Sequence, residues 1–291
     1  MKKLKRIIND IKTTTDKNSP QYNQLLWQLI CYSPKMPVRY PVNLLLDEAV
    51  PFSLKALDAY FTQTELSFNG FIWGTGTRKI LLTHGWASKA ADYYQLITAL
   101  REIPDTQIIA FDAPGNGSSE ADMANLLMYV QAIKAIIGEY GEPDVLIGHS
   151  LGVMANVITL TETGINPKLL ISLTPLVHLK ENFKATLNAN EVPAEAQEVF
   201  YADFRRIFND VFSNFTLDAR YQFDAGLSHW VAYDEEDKIA PYPYLQEFLA
   251  TRSFIASKAY NGAGHDKILI EPTMITDVVE MVKEVLNLPA H

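Results

Sequence analysis

The sequence predicts an α/β fold: a mostly parallel central sheet with helices on both faces and a helical lid insertion. Three observations carry this expectation. From Thr64 onward, short apolar runs alternate with longer helical patterns, the rhythm of strand–helix–strand units. The runs Ile80-Leu81-Leu82, Ile108-Ile109-Ala110-Phe111, Val145-Leu146-Ile147 and Leu169-Leu170-Ile171 are continuous rather than alternating, as in strands buried on both faces. The loop after the second of these runs, Asp112-Ala113-Pro114-Gly115-Asn116-Gly117, is rich in Gly, Pro, Asn and Asp, residues that favour turns.

Residues 1–63 read as an N-terminal helical extension. Leu4, Ile7, Ile8 and Ile11 recur at helical spacing between lysines and Arg6, giving a basic amphipathic helix that docks on its own domain in preference to a membrane surface. A second helical pattern, rich in Leu and Trp, runs from Gln21 to Tyr32, and Pro34, Pro37 and Pro41 then interrupt any helix. Ser53–Tyr60 reads as a further short helix. Glu65–Phe68 and Phe71–Trp73 read as a hairpin closed by an Asn69-Gly70 turn.

The α/β core is expected over 64–175 and 227–291. Its strands are Lys79–Thr83, ending at His84-Gly85-Trp86; Gln107–Phe111, ending at Asp112-Ala113-Pro114-Gly115-Asn116-Gly117; Val145–Ile147; Lys168–Leu173; His229–Tyr233; and Ser253–Ser257. Helices are expected around Tyr93–Leu100, Leu126–Tyr140, after Gly152, and near Ile275–Leu286. Residues 176–226 interrupt the alternation. There Phe200, Phe204, Phe208, Val211, Phe212 and Phe215 recur at spacings of three and four, and the insertion follows a strand's carboxyl end, where open α/β sheets bind ligands. A lid is the reading this favours, with Phe204 and Phe208 as candidate pocket residues within an aromatic lid core.

A chain of 291 residues can bury a large single core, and 48% hydrophobic with 20% charged residues is ordinary for a globular protein. A net charge of −9 argues against a nucleic-acid partner, since phosphate binding needs clustered Lys and Arg. Cys31 is the sole cysteine, which excludes an intrachain disulfide and thiolate metal sites. The six histidines have no metal-ligand spacing, so neither metal nor cofactor is expected. No apolar signal core follows Met1–Lys5 and no run approaches about 18 apolar residues, so membrane insertion is not expected and the cytoplasm is. These observations leave the oligomeric state open.

The chemistry centres on Gly148-His149-Ser150-Leu151-Gly152, a G-x-S-x-G between an apolar run and a helical stretch free of Gly and Pro. By itself the pentapeptide arises by chance in roughly one chain in ten of this size, and a glycine-flanked serine N-cap would give the same letters. Its context decides. A serine hydroxyl becomes a nucleophile only when a base takes its proton, and that base needs an orienting acid. Downstream, acids at Asp234–Asp237 follow one strand, and Gly262-Ala263-Gly264-His265 follows another. The residues alone leave the acid open between Asp234 and Asp237.

With these segments in their order, residues 65–288 resemble a serine hydrolase of the α/β-hydrolase superfamily. The resemblance rests on His84-Gly85-Trp86, Asp112–Gly117, the Ser150 motif (the nucleophile elbow), Asp237-Lys238-Ile239-Ala240-Pro241 and Gly262–His265. It implies a Ser150–Asp237–His265 triad, with the proline four residues after Asp237 selecting that acid over Asp234. It further implies an oxyanion hole from the backbone N–H groups of Trp86 and Leu151, a loop-shaping role for His84 and a packing role for His149. Relatives that use aspartate in place of Ser150 cleave halides and epoxides, so serine here implies acyl transfer. The activity implied is cleavage of an ester or thioester of a small, fairly apolar acyl group, a small-molecule substrate. An acyltransferase or aminopeptidase with the same triad, or a non-catalytic small-ligand-binding protein on the same scaffold, stay open as alternatives.

Overall fold

The computed structural model describes residues 2–38, 40–209 and 214–286. Three helices lead: α1 (Lys2–Thr13), α2 (Pro20–Cys31) and α3 (Tyr40–Asp47). Strands β1 (Val50–Asp58), β2 (Thr64–Trp73) and β3 (Arg78–Thr83) follow. Next come α4 (Tyr94–Leu100), β4 (Thr106–Asp112), α5 (Leu126–Tyr140), β5 (Val145–His149), α6 (Leu151–Thr163) and β6 (Leu169–Leu173). The stretch 176–226 holds α7 (Leu179–Ala189), α8 (Ala194–Phe208) and α9 (Leu217–Arg220); Val211 and Phe212 lie outside the described residues. The chain closes with β7 (His229–Tyr233), α10 (Tyr242–Ala250), β8 (Ala256–Ala259) and α11 (Pro272–Val285).

The strands form one sheet in the order β1-β2-β4-β3-β5-β6-β7-β8. The β1–β2 and β2–β4 pairs are antiparallel, and every other pair is parallel. Side chains alternate between faces, so the continuous apolar runs feed two cores. Ile80, Leu82, Ile108, Val145, Ile147 and Ile171 face α4 and α11, while Leu81, Ile109, Leu146, Leu170 and Val231 face the side of α5 and α6. The chain runs from β3 to β4 on one side, then returns to place β5 on the other. The crevice at the strands' carboxyl ends opens at such a reversal.

The antiparallel edge corrects two expectations. Ser53–Tyr60 is no helix: β1 occupies Val50–Asp58, so the extension is helical only as far as Asp47. Phe52, Leu54 and Ala56 alternate with Ser53, Lys55 and Leu57, the period of a half-buried strand, and Pro51 is tolerated because β1 is an edge. Asn69-Gly70 is no turn either. It lies inside β2, paired with Ser53 and Phe52, and a Cβ on Gly70 would fall 2.1 Å from the Phe52 ring. The glycine leaves room for an aromatic ring across the strand pair. The true turn joins β1 to β2, where the buried Asp58 carboxylate accepts the N–H groups of Tyr60, Phe61 and Thr62 at 3.3, 3.2 and 2.9 Å. β8 begins three residues later than expected, since Arg252 and Ile255 close turns onto Leu249 and Arg252 first.

The amphipathic α1 buries Ile7 and Ile11 against the rest of the molecule, as docking on its own domain requires. Helix α2 is apolar on more than one face, burying Tyr22, Leu26, Trp27, Leu29, Ile30 and Cys31, because it lies between layers. Its Trp27 ring meets Phe200, Phe204 and Phe208 of α8 at 4.7, 6.0 and 6.1 Å between centroids. No helix among the described residues is long and apolar enough to cross a membrane.

Candidate active site

Ser150 directly follows β5 and caps α6 with φ +51° and ψ −117°, a conformation that L-residues hold only where surrounding contacts over-determine it. Those contacts are on hand. The Ser150 N–H donates to Leu173 O at 3.0 Å, and the Ser150 carbonyl accepts the N–H groups of Val153 and Leu176 at 3.1 and 3.3 Å. The flanking glycines permit close approach of neighbouring segments. A Cβ on Gly148 would meet Asn156 and Val153 of α6 at 2.7 and 2.9 Å. One on Gly152 would meet the Thr83 and His84 carbonyls at 2.4 and 2.6 Å.

The structure brings Ser150, His265 and Asp237 together. Asp237 Oδ2 lies 2.7 Å from His265 Nδ1, and His265 Nε2 lies 2.9 Å from Ser150 Oγ. A carboxylate only accepts, so Nδ1 carries the proton and Nε2 is left to accept the serine O–H. The other Asp237 oxygen accepts the N–H groups of Ile239 and Ala240 at 2.7 and 2.9 Å. Burial works against the Asp237 charge. The His265 hydrogen bond and charge, with the two N–H donors, outweigh it and hold the carboxyl below its ordinary range.

Asp234 has a different task. Its Oδ2 accepts the Gly264 N–H at 2.6 Å and its Oδ1 the Glu236 N–H at 2.8 Å, so it fastens the loop that carries His265. The His265 carbonyl is held as well, by His149 Nε2 at 2.9 Å and by Thr174 Oγ1 at 3.2 Å. Thr174, at φ +40°, escapes a reading of the sequence; its one signal is its place between the apolar run of β6 and Pro175.

Trp86 follows β3 on a loop fixed by His84. His84 Nδ1–H donates to Gly85 O at 2.7 Å, and Nε2 accepts the Ala113 N–H at 2.9 Å, tying the loops after β3 and β4. Burial above all drives the His84 pKa down, so the ring is neutral and acts as a two-ended linker. Leu151 opens α6, so its N–H is a first-turn donor with no intrahelical acceptor. Both residues line a cavity of about 430 Å³ that contains Ser150 and His265, within the roughly 300–1,000 Å³ of ligand pockets.

One expectation about the walls changes. Phe204 and Phe208 do not line this cavity, because Trp27 holds them in the aromatic cluster. They border a smaller apolar space of about 30 Å³ beside it. The serine cavity is lined instead by Leu179 and Phe183 of α7 and by Leu29 and Ile30 of α2. Phe183 lies four residues after Leu179, and α2 carries a broad apolar face beside a stripe of Gln21, Gln24 and Gln28; both signals are present in the sequence. His149, His265 and Asp266 offer donor atoms within 4.8 Å of one another. Both His265 nitrogens and His149 Nε2 already have partners, so the group is poorly suited to hold a metal.

Residues 80–279 match the model of the alpha/beta hydrolase family. No curated protein matches the sequence. Among solved structures, an esterase of Pyrococcus furiosus superposes with a TM-score of 0.59 at 15% identity, covering 88% of this chain and 97% of that one. An esterase of Thermogutta terrifontis gives 0.56 at 16%, covering 80% and 99%. A thioesterase domain from the curacin biosynthetic pathway gives 0.56 at 16%, covering 80% and 98%. At such identities the likeness speaks for the fold alone. The family match spans more than two thirds of the sequence, and the chain belongs to the alpha/beta hydrolase family.

Proposed function

We propose that the protein is a serine hydrolase that cleaves an ester or thioester of a small, fairly apolar acyl group. The observation that carries this reading is the unbroken hydrogen-bonded chain from Asp237 through His265 to Ser150, with Ser150 and His265 opening into a ligand-sized cavity. Esterases and a thioesterase domain among the structural neighbours add weight to it.

In the proposed reaction Ser150 Oγ attacks the acyl carbon as His265 Nε2 takes its proton, and the carbonyl π pair moves onto oxygen. The N–H groups of Leu151 and Trp86 receive that oxyanion; one such donor is commonly worth about 3 kcal/mol. Collapse expels the alcohol or thiol, to which His265 returns the proton. Water, deprotonated by the same nitrogen, then attacks the acyl-serine, and as the acyl–Oγ bond breaks His265 Nε2 returns the proton to Ser150 Oγ and the acid is released. Asp237 keeps Nδ1 protonated throughout and stabilises the imidazolium. Helices α7 and α8, with α2, serve as the lid that shields these steps from bulk water.

Steady-state hydrolysis of p-nitrophenyl esters and matching thioesters from two to sixteen carbons tests the reading. Short-to-medium chains should be turned over best. A flat profile, or one rising to the longest chain, would contradict a closed apolar acyl site.

A further inference from the structure

Resting on that reading, we propose that helix α2, outside the span shared with the family, sets the acyl-chain length and that Ile30 is its specificity-determining residue. Ile30 borders both the 430 Å³ cavity at Ser150 and the adjoining 30 Å³ apolar chamber. Leu179 and Phe183 of α7 border both as well, so Ile30 is the contribution of α2 to that junction. So do Trp86 and Leu151. A carbonyl whose oxygen sits between their N–H groups therefore has the chamber next to it. The leaving group must face His265 to collect its proton, and that side carries Lys238, Ile239 and Asp266. The acyl chain is left pointing towards the chamber, whose far walls are Trp27, Phe204, Phe208 and Phe215 and at whose entrance Ile30 stands.

The barrier is fixed at both ends. Trp27 Nε1 and Asn23 Nδ2 donate to Asp203 of α8 at 2.8 and 2.9 Å. At the other end, Cys31 O accepts the Ala124 N–H at 2.8 Å, the Ser33 N–H donates to Asp122 O at 3.1 Å, and Ser33 Oγ–H donates to Asn116 Oδ1 at 2.6 Å. A helix held this way cannot swing aside for a longer chain, and a β-branched side chain has few rotamers with which to yield. Ile30 thus acts as a stop at the chamber's threshold.

The experiment measures kcat/KM for p-nitrophenyl esters of two to ten carbons with the full-length protein and four variants. Ile30→Ala should move the optimum to longer chains, each newly accommodated methylene adding on the order of threefold. Ile30→Val should shift it the same way by less, and Ile30→Phe should shift it to shorter chains. Leu26→Ala, fully buried on the same helix but bordering neither space, should lower the melting temperature without moving the optimum. Fluorophosphonate labelling of Ser150 is read in every sample. Labelled proteins with superimposable profiles would overturn this inference alone, as would an equal shift in Leu26→Ala. An unlabelled wild-type protein would overturn the nucleophile reading and the inference together.

Discussion

His149 Nε2 donates to the main-chain carbonyl of His265 at 2.9 Å, with the two rings tilted by 49° and 4.9 Å apart. A carbonyl only accepts, so Nε2 must carry His149's proton, while Nδ1 has no partner. Burial, and then the neighbouring His265, push the His149 pKa down to about 3. The ring is therefore a neutral strut. A charged one would oppose the imidazolium that the proposed mechanism forms at His265.

His149 is thus a positioning residue, and His149→Leu should lower kcat about tenfold with KM little changed, the cost of one buried hydrogen bond. Thr174 keeps a second hold on the same carbonyl, so the loss is partial. His149→Gln, which retains an N–H donor, should recover part of the rate. A rise in KM without loss of kcat would place His149 in substrate binding instead.

The two candidate acids differ in what they hold. Asp237→Asn should cut kcat by about 10³–10⁴ with the fold intact, since an amide cannot keep His265 in the required tautomer. Asp234→Asn should cost less than about tenfold, because its carboxylate accepts from main-chain N–H groups and an amide oxygen can replace one contact. Steady-state kinetics beside circular dichroism would check both, and a more severe loss at Asp234 would reverse the assignment.

Much of the parallel sheet is legible in the sequence, because strands buried on both faces leave no polar side. Val145-Leu146-Ile147 carries that signal without ambiguity. The antiparallel edge is harder to read for a physical reason. Asn69-Gly70 has the letters of a tight turn, yet the glycine serves the ring of Phe52 on the neighbouring strand, a partner that no local window contains. The turn that does exist is made by the Asp58 side chain, without Gly or Pro to announce it. At the site, motif order brings Ser150, Asp237 and His265 forward, whereas the cavity wall depends on how α2 seats beneath α8. A stripe of phenylalanines cannot say which of its members face inward; Trp27, 176 residues from its partner Asp203, turns Phe204 and Phe208 towards itself.

Stability should depend on pH well above the carboxylate range. Burial drives His229 down from 6.5 to about 3, as burial and the neighbouring His265 do His149. Between those values the unfolded chain binds protons that the folded one does not. Their contribution is full above about 6.5 and is lost as pH falls towards 3, at a limiting slope of about 1.4 kcal/mol per pH unit for each histidine. The depressed carboxyl of Asp237 acts only lower, below its ordinary 3.8. Urea midpoints at pH 7 and pH 5 should differ clearly, and His229→Gln should reduce the difference. Equal midpoints would mean that these rings are protonated in the folded protein.

The proposed chemistry rests on Ser150 as the nucleophile, activated by His265. Incubating the folded protein with a fluorophosphonate and locating the adduct by peptide mass spectrometry tests it most directly. One adduct is expected, on Ser150, with labelling abolished in Ser150→Ala and strongly slowed in His265→Ala. An adduct on another residue, or none on protein with a native circular dichroism spectrum, would contradict it.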